Sequence, residues 1–462
     1  SFAIDSGHGY STVTVIGGAP SSSDVATLTD NANAVTLQLG TSPVSTTDAV
    51  VTSAGLGTVR LTGVEVANVV TNSRNVIVNG TAENDDLTYQ PTGARAGAVT
   101  KAGINLVANL SGVGALTIDG ASGDDTLTVR GTSDPDAFTI SPTAVLSSTL
   151  QGVNTLSNID SLTVYGGAGA DTFSVAPGAV PIQLFGDSPL GGATGDSLTL
   201  NATTAVTFHL GLQAGSGRFD VATARPVTFE QMEQLAVDGD GDDGVTFNGT
   251  PGADTFRLTA LLAPDDFAVS VNGMTVTCAD FAAATLAGFD GDDAFTVAPV
   301  AGFTTDVTVR GGSATGGDRL HVEGTAAGET IAVDLTGGTI AVGTADPIVF
   351  TGVESLSVDA AGGVDTLRVS GSATYEYRPG ATADAGSLTT AGLPISFTNL
   401  AGGETLNLSG TSLAALGTDA NNAFVLGASL SLDGRVNITR SGLTSLTLDG
   451  LAGDDSLSLI HI

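Results

Sequence analysis

Four aspartate doublets stand out as groups able to do chemistry: Asp124-Asp125, Asp242-Asp243, Asp292-Asp293 and Asp454-Asp455. Each follows a glycine and precedes a short run that alternates apolar and polar residues, as in Gly123-Asp124-Asp125-Thr126-Leu127. A single acid holds the same place at Asp171, within Gly166-Gly167-Ala168-Gly169-Ala170-Asp171-Thr172-Phe173-Ser174-Val175, and at Asp365, within Gly362-Gly363-Val364-Asp365-Thr366-Leu367. Glycine lets a turn adopt positive φ and aim carbonyls inward, and the aspartate adds a carboxylate at a fixed location. Calcium takes about six to eight oxygens of these kinds. Turns stacked about 4.8 Å apart would let carboxylates of one rung and carbonyls of the next share an ion. Asp124, Asp125, Asp171, Asp242, Asp243, Asp292, Asp293, Asp365, Asp454 and Asp455 are therefore the expected Ca2+ ligands.

Charge points the same way. The net charge is −34, from 48 acidic and 14 basic residues, and Lys101 is the sole lysine. Such a surface repels phosphate backbones, so nucleic acid is not an expected partner, and it calls for bound cations. Other chemistry is poorly supported. His8, His209, His321 and His461 lie in unrelated contexts, and no metalloprotease helix, nucleophile elbow or phosphate-binding glycine loop occurs, so the chain does not read as an enzyme. Cys278 is alone, which rules out an intrachain disulfide and suits a small buried hydrophobe. Tyr375-Glu376-Tyr377-Arg378 is the one aromatic cluster a glycan could use, although a strand with both tyrosines on one face explains it more simply. No apolar run of about 18 residues exists, so no membrane span is expected.

The acidic turns need elements to position them, and those elements repeat. A second kind of turn starts with Gly-Thr: Gly80-Thr81, Gly131-Thr132, Gly249-Thr250, Gly324-Thr325 and Gly417-Thr418. A third landmark leads in to acidic turns, as in Gly352-Val353-Glu354-Ser355-Leu356 and Asn158-Ile159-Asp160-Ser161-Leu162. Between landmarks the residues alternate apolar and polar, the period-two mark of a strand with one buried face. The period is roughly 45 residues, stretched where extra turns such as 191–198 and 311–320 read as insertions, with breaks near 75, 130, 176, 248, 298, 370 and 410 along one continuous array over 1–462; periods of about 20 to 50 residues indicate a solenoid or array. The strands should bury Leu116, Ile118, Leu127, Val129, Phe138, Ile140, Leu162, Val164, Phe173 and Val175. Only 282–286 and 232–235 could make single helical turns.

The stretch 166–174 resembles the glycine- and aspartate-rich nonapeptide of RTX, or hemolysin-type, calcium-binding repeats. The alternation of acidic and Gly-Thr turns with the Val-Glu-Ser-Leu lead-in is similar to long Gly/Asp/Thr-rich repeats of large bacterial surface proteins. The resemblance implies calcium between stacked coils of a secreted or surface protein. RTX nonapeptides follow one another without spacers, whereas these acidic turns recur only after tens of residues.

The sequence thus predicts an elongated all-β repeat protein, a β-solenoid akin to a parallel β-helix, with tandem small β-sandwich domains as the alternative. The expected function is an extracellular structural protein, a building block of a fibre, sheath or surface layer, polymerising head to tail with copies of itself. An adhesin stalk or glycan-binding protein contacting cell-surface polysaccharide is the alternative, and a polysaccharide-degrading β-helix enzyme a minor one. Both ends fall in the same phase of the repeat, which suggests a fragment of a longer protein; the string 457–462 reads either as a last strand or as translated sequencing adapter.

Overall fold

A computed structural model describes residues 1–18, 23–41, 45–188, 195–313, 316–400 and 404–460. His461 and Ile462, at the end of the suspect closing string, lie outside them. Among the described residues there are only strands and turns, and no helix is long and apolar enough to cross a membrane. The fold is all-β and solenoid-like. The chain divides into two compact units, residues 1–202 with 211–237 and residues 203–210 with 238–462.

Unit 2 shows the construction most plainly. The chain alternates between two ladders of parallel strands. Gly244–Asn248, Ala283–Asp290 and Asp306–Ser313 are successive rungs of one. Thr255–Ala260, Ala294–Ala298, Arg319–Glu323 and Ser355–Asp359 are rungs of the other. Register is kept residue for residue, so Phe256, Phe295, Leu320 and Leu356 line up and all four are buried. Alternate residues face out, and a slip by one would turn every core residue to solvent.

At intervals a rung is replaced by a three-stranded antiparallel detour. One is Thr330–Asp334, Thr339–Val342 and Ile348–Thr351. Its first strand pairs with Thr366–Ser370, which comes later in the chain, and its third pairs with Asp306–Ser313, which came before. Thr374–Pro379, Gly386–Thr389 and Ile395–Thr398 repeat the device in the other ladder.

Unit 1 is built alike. Thr126–Arg130, Ser161–Ala168, Ile182–Ser188 and Val227–Glu230 form one parallel run, and Ala137–Ser141, Thr172–Val175 and Ser197–Asn201 another. Val66–Asn79 and Val107–Asp119 are long strands whose two halves pair separately across register shifts near Ser111 and Val113. All ten core residues expected from the sequence are buried.

Two expectations change. Residues 282–286 and 232–235 do not turn helically but enter the strands Ala283–Asp290 and Gln234–Asp238, because each offers an inward apolar residue at every second position. The apparent insertions lead into regular rungs, Ser197–Asn201 and Arg319–Glu323; residues 191–194, 314 and 315 of them lie outside the described part. Tyr375 and Tyr377 are both buried on the inner face of the strand Thr374–Pro379, as the simpler reading of that cluster has it.

Because the cores are narrow, one ring matters. Phe295 is 1% exposed and stacks on Phe256 with centroids 4.9 Å apart. Phe295→Ala should cost about 3–5 kcal/mol in urea unfolding of unit 2, whereas the outward Thr296→Ala should stay within about 0.5 kcal/mol.

Candidate functional site: a buried carboxylate ladder

The turns do carry acids in line, joined by the backbone. Each such acid sits two residues before the first inward apolar residue of a strand, and its carboxylate accepts the backbone N–H of the equivalent residue one coil earlier. In unit 1, Asp136 donates to Asp171 Oδ1, Asp171 to Asp196 Oδ1 and Asp196 to Glu233 Oε2, each at 2.7 Å. A second column runs Asp85 to Asp125 (2.8 Å) and Asp125 to Asp160 (2.9 Å). In unit 2, Asp254 donates to Asp293 (2.7 Å), Asp293 to Asp318 (2.8 Å) and Asp318 to Glu354 (2.6 Å). Glu329 to Asp365 (2.8 Å) and Asn422 to Asp455 (2.9 Å) follow the same rule. Bonds to a charged acceptor are the stronger kind, and these hold coil to coil where the strand ladder has ended.

The three turn types of the sequence are the head, middle and tail of these columns. At a head, the Gly-Thr threonine grips its own acid. The Thr132 N–H and Oγ1 donate to Asp136 Oδ2 at 2.7 and 3.0 Å, and Thr250 N–H donates to Asp254 Oδ2 at 2.6 Å. Thr81 grips Asp85 likewise, and Lys101 Nζ lies 2.7 Å from Asp85 Oδ1. At the Asn422 head an amide replaces the carboxylate and still accepts the Thr418 N–H at 2.7 Å. Middle acids have no threonine. Asp125, Asp171, Asp196, Asp293, Asp318 and Asp365 are at most 1% exposed, and their second oxygen, Oδ2, has no partner. Tails use the lead-in motif, where Glu233 and Glu354 reach one carbon further.

At two of these turns glycine is required by proximity. A Cβ on Gly120 would lie 2.4 Å from Asp125 Oδ2 and 2.2 Å from the Asn158 carbonyl; one on Gly311 would lie 2.4 Å from Asp318 Oδ2 and 1.8 Å from the Gly352 carbonyl. Positive φ is needed one step on, at Gly123 (133°) and Gly169 (122°).

Burial dominates the electrostatics. Burial first, and then charged neighbours such as Asp196 and Asp318, push the carboxyls of Asp171 and Asp293 up to about 6, against the lowering effect of the backbone N–H each accepts. Asp125, Asp196, Asp318 and Asp365 move upward for the same reason.

The structure separates the members of the doublets. Asp125 and Asp293 point into the columns, while Asp124 and Asp292 are exposed, Asp292 Oδ1 accepting the Gly316 N–H at 2.6 Å. Asp171 and Asp365 are ladder members. Asp455 is one too but exposed, as is Asp454. Asp242 and Asp243 lie outside these columns; the Asp243 carbonyl accepts the Ala282 N–H. Sequence reading missed Asp85, Asp136, Asp196, Asp254, Asp318, Glu233, Glu329 and Glu354 as equivalents, although the acid-x-apolar spacing, as in Asp196-Ser197-Leu198, marks them all. Asp265, Asp266 and Asp280, also not singled out, bring three carboxylate oxygens within 4.8 Å of one another. For a cation, the ladder supplies fixed carboxylates whose unpartnered Oδ2 atoms carry uncompensated charge; these oxygens suit calcium chemically, and a proton equally.

Two outcomes test the ladder. Gly311→Ala should destabilise unit 2 by more than about 3 kcal/mol, because a backbone carbonyl blocks the added carbon; Gly362→Ala, where nothing lies within 4 Å, should be near neutral in the same melts. The raised carboxyls also set a pH dependence. A carboxyl whose folded pKa exceeds its unfolded value favours folding fully below about pH 4 and loses that contribution as pH rises through about 6. Without divalent metal, melting temperature should therefore fall between pH 4 and pH 7. Asp171→Asn keeps an acceptor for Asp136 and removes the charge, so it should melt above the parent at pH 7.5 and not at pH 4; melting below the parent at both would contradict this account. Searches against models of protein families and against curated proteins find no match to this chain.

Proposed function

We propose that the protein is an extracellular structural component, a building block of a fibre, sheath or surface layer. The observation that carries this reading is the recurrence of one clasp, backbone N–H to carboxylate, on coil after coil in both units. The column acids at the turns hold neighbouring coils together. In keeping with that, three of the five tyrosines, Tyr89, Tyr375 and Tyr377, are in the core, which leaves few aromatic faces for sugar.

A sheet edge accepts another strand of matching register, and a second copy of this chain supplies one. Copies of the protein are the proposed principal partner, assembling head to tail, with cell-surface polysaccharide as a further one. Nucleic acid does not fit a charge of −34. We also propose calcium as the neutraliser at the pH of the extracellular medium, held through carboxylates of the ladder and the exposed acids beside them.

If calcium stands at about a hundred times its dissociation constant, each site adds about 2.7 kcal/mol. Millimolar calcium at pH 7.5 should raise the melting temperature and lengthen filaments seen by electron microscopy, and a chelator should reverse both. Unchanged melting would remove calcium from the reading. A protein that stays monodisperse at high concentration with calcium would remove the assembly.

A further inference from the structure

The outer face of unit 2 carries a chain of side chains that the ladder does not use. Arg257, Thr296, His321 and Ser357 are register partners on four successive rungs. They face outward, because the residues that precede them, Phe256, Phe295, Leu320 and Leu356, are buried. Ser357 Oγ lies 2.7 Å from His321 Nδ1. On the other side of the ring, His321 Nε2 lies 3.8 Å from Glu323 Oε1. Glu323 is fixed by a two-pronged bond from Arg257, at 2.9 and 2.8 Å, which holds its carboxyl below the usual range. An ionised carboxylate facing Nε2 favours the tautomer with its proton there, leaving the Nδ1 lone pair directed at the serine hydroxyl.

A serine hydroxyl hydrogen-bonded to an imidazole, with an ionised carboxylate 3.8 Å beyond the far ring nitrogen, gathers the three groups used in covalent acyl transfer. We propose that Ser357, His321 and Glu323 form an esterase site that cleaves acyl esters carried on a polyhydroxylated chain. The substrate class comes from the same face. Ser357, Ser396 and Ser387 form an outward row of hydroxyls on adjacent rungs. The row leads to a groove of about 430 Å³ lined by Thr374, Glu376, Thr389, Ser412 and Ser445. Thr389 lies two rungs from Ser357, about 10 Å along the ladder. An O-acetylated polysaccharide laid over the sheet would meet both.

In the reaction, Ser357 Oγ bonds to the ester carbonyl carbon and its proton passes to His321 Nδ1. The bond from that carbon to the alcohol oxygen then breaks, and His321 returns the proton to the departing alcohol. Water attacks the acyl-serine, gives a proton to His321, and releases the carboxylic acid as Ser357 regains its hydrogen. Arg319, two residues before His321 on the same face and opposite Ser355, is the cation placed to meet the oxyanion.

The test uses the full chain, a fluorophosphonate probe read by intact mass and peptide mapping, and p-nitrophenyl acetate. The expected result is one adduct, on Ser357, absent in Ser357→Ala, unchanged in Ser355→Ala, and formed at least about 100-fold more slowly in His321→Gln. Ester turnover should follow the same pattern, with all variants melting as the parent does. The assignment is overturned if the parent gives no adduct at Ser357, or if His321→Gln labels and turns over within about twofold of it.

Discussion

A backbone N–H that leaves one strand and has not entered the next has no ladder partner, and in a stack of coils the same orphan recurs on each coil at the same height. Here the carboxylate of the following coil takes the place of the missing carbonyl, as Asp171 does for Asp136 and Asp293 for Asp254. The rest of the turn follows from that bond. The carboxylate lies close over the incoming chain, which is glycine at Gly120, Gly288 and Gly311 and alanine at Ala360; further on a glycine takes positive φ, as at Gly169. Threonine enters where a column starts: the first acid there takes the N–H and hydroxyl of its own turn, as Asp136 does from Thr132.

The clasp has an electrostatic cost that grows with every rung. Each middle acid brings one oxygen into a bond and leaves another buried without one. A single coil of this kind would be a modest defect, but a column concentrates like charges along one line. Head residues relieve it with neutral or positive groups: Asn422 in place of an acid, the Asn272 amide 2.6 Å from Asp254, and Lys101 beside Asp85. That the only lysine of the chain is spent on a column head shows where positive charge is most useful.

The strands and core were legible in the sequence because alternation is a local signal: Phe173 and Val175 can be placed inward from their own ten residues. The columns were only half legible. Their bonds join residues 25 to 40 apart, so the equivalence of Asp171 with Asp196, or Asp85 with Asp125, appears only when coils are laid in register. The doublets misled for a related reason. Asp124 and Asp125 look interchangeable, yet the one-residue offset sends one to solvent and one to the interior. His321 and Ser357, 36 residues apart, meet through the same register and share no motif.

The three-stranded detours bear on how such a chain can grow. Thr330–Asp334 is laid against a strand, Thr366–Ser370, that is made after it, while the edge beside Asp306–Ser313 is filled only when Ile348–Thr351 turns back. A plain coil can close on the coil before it as soon as it emerges. A detour cannot: it holds a place open until the chain has doubled back and then moved on. At the detours the chain is therefore knitted and not wound.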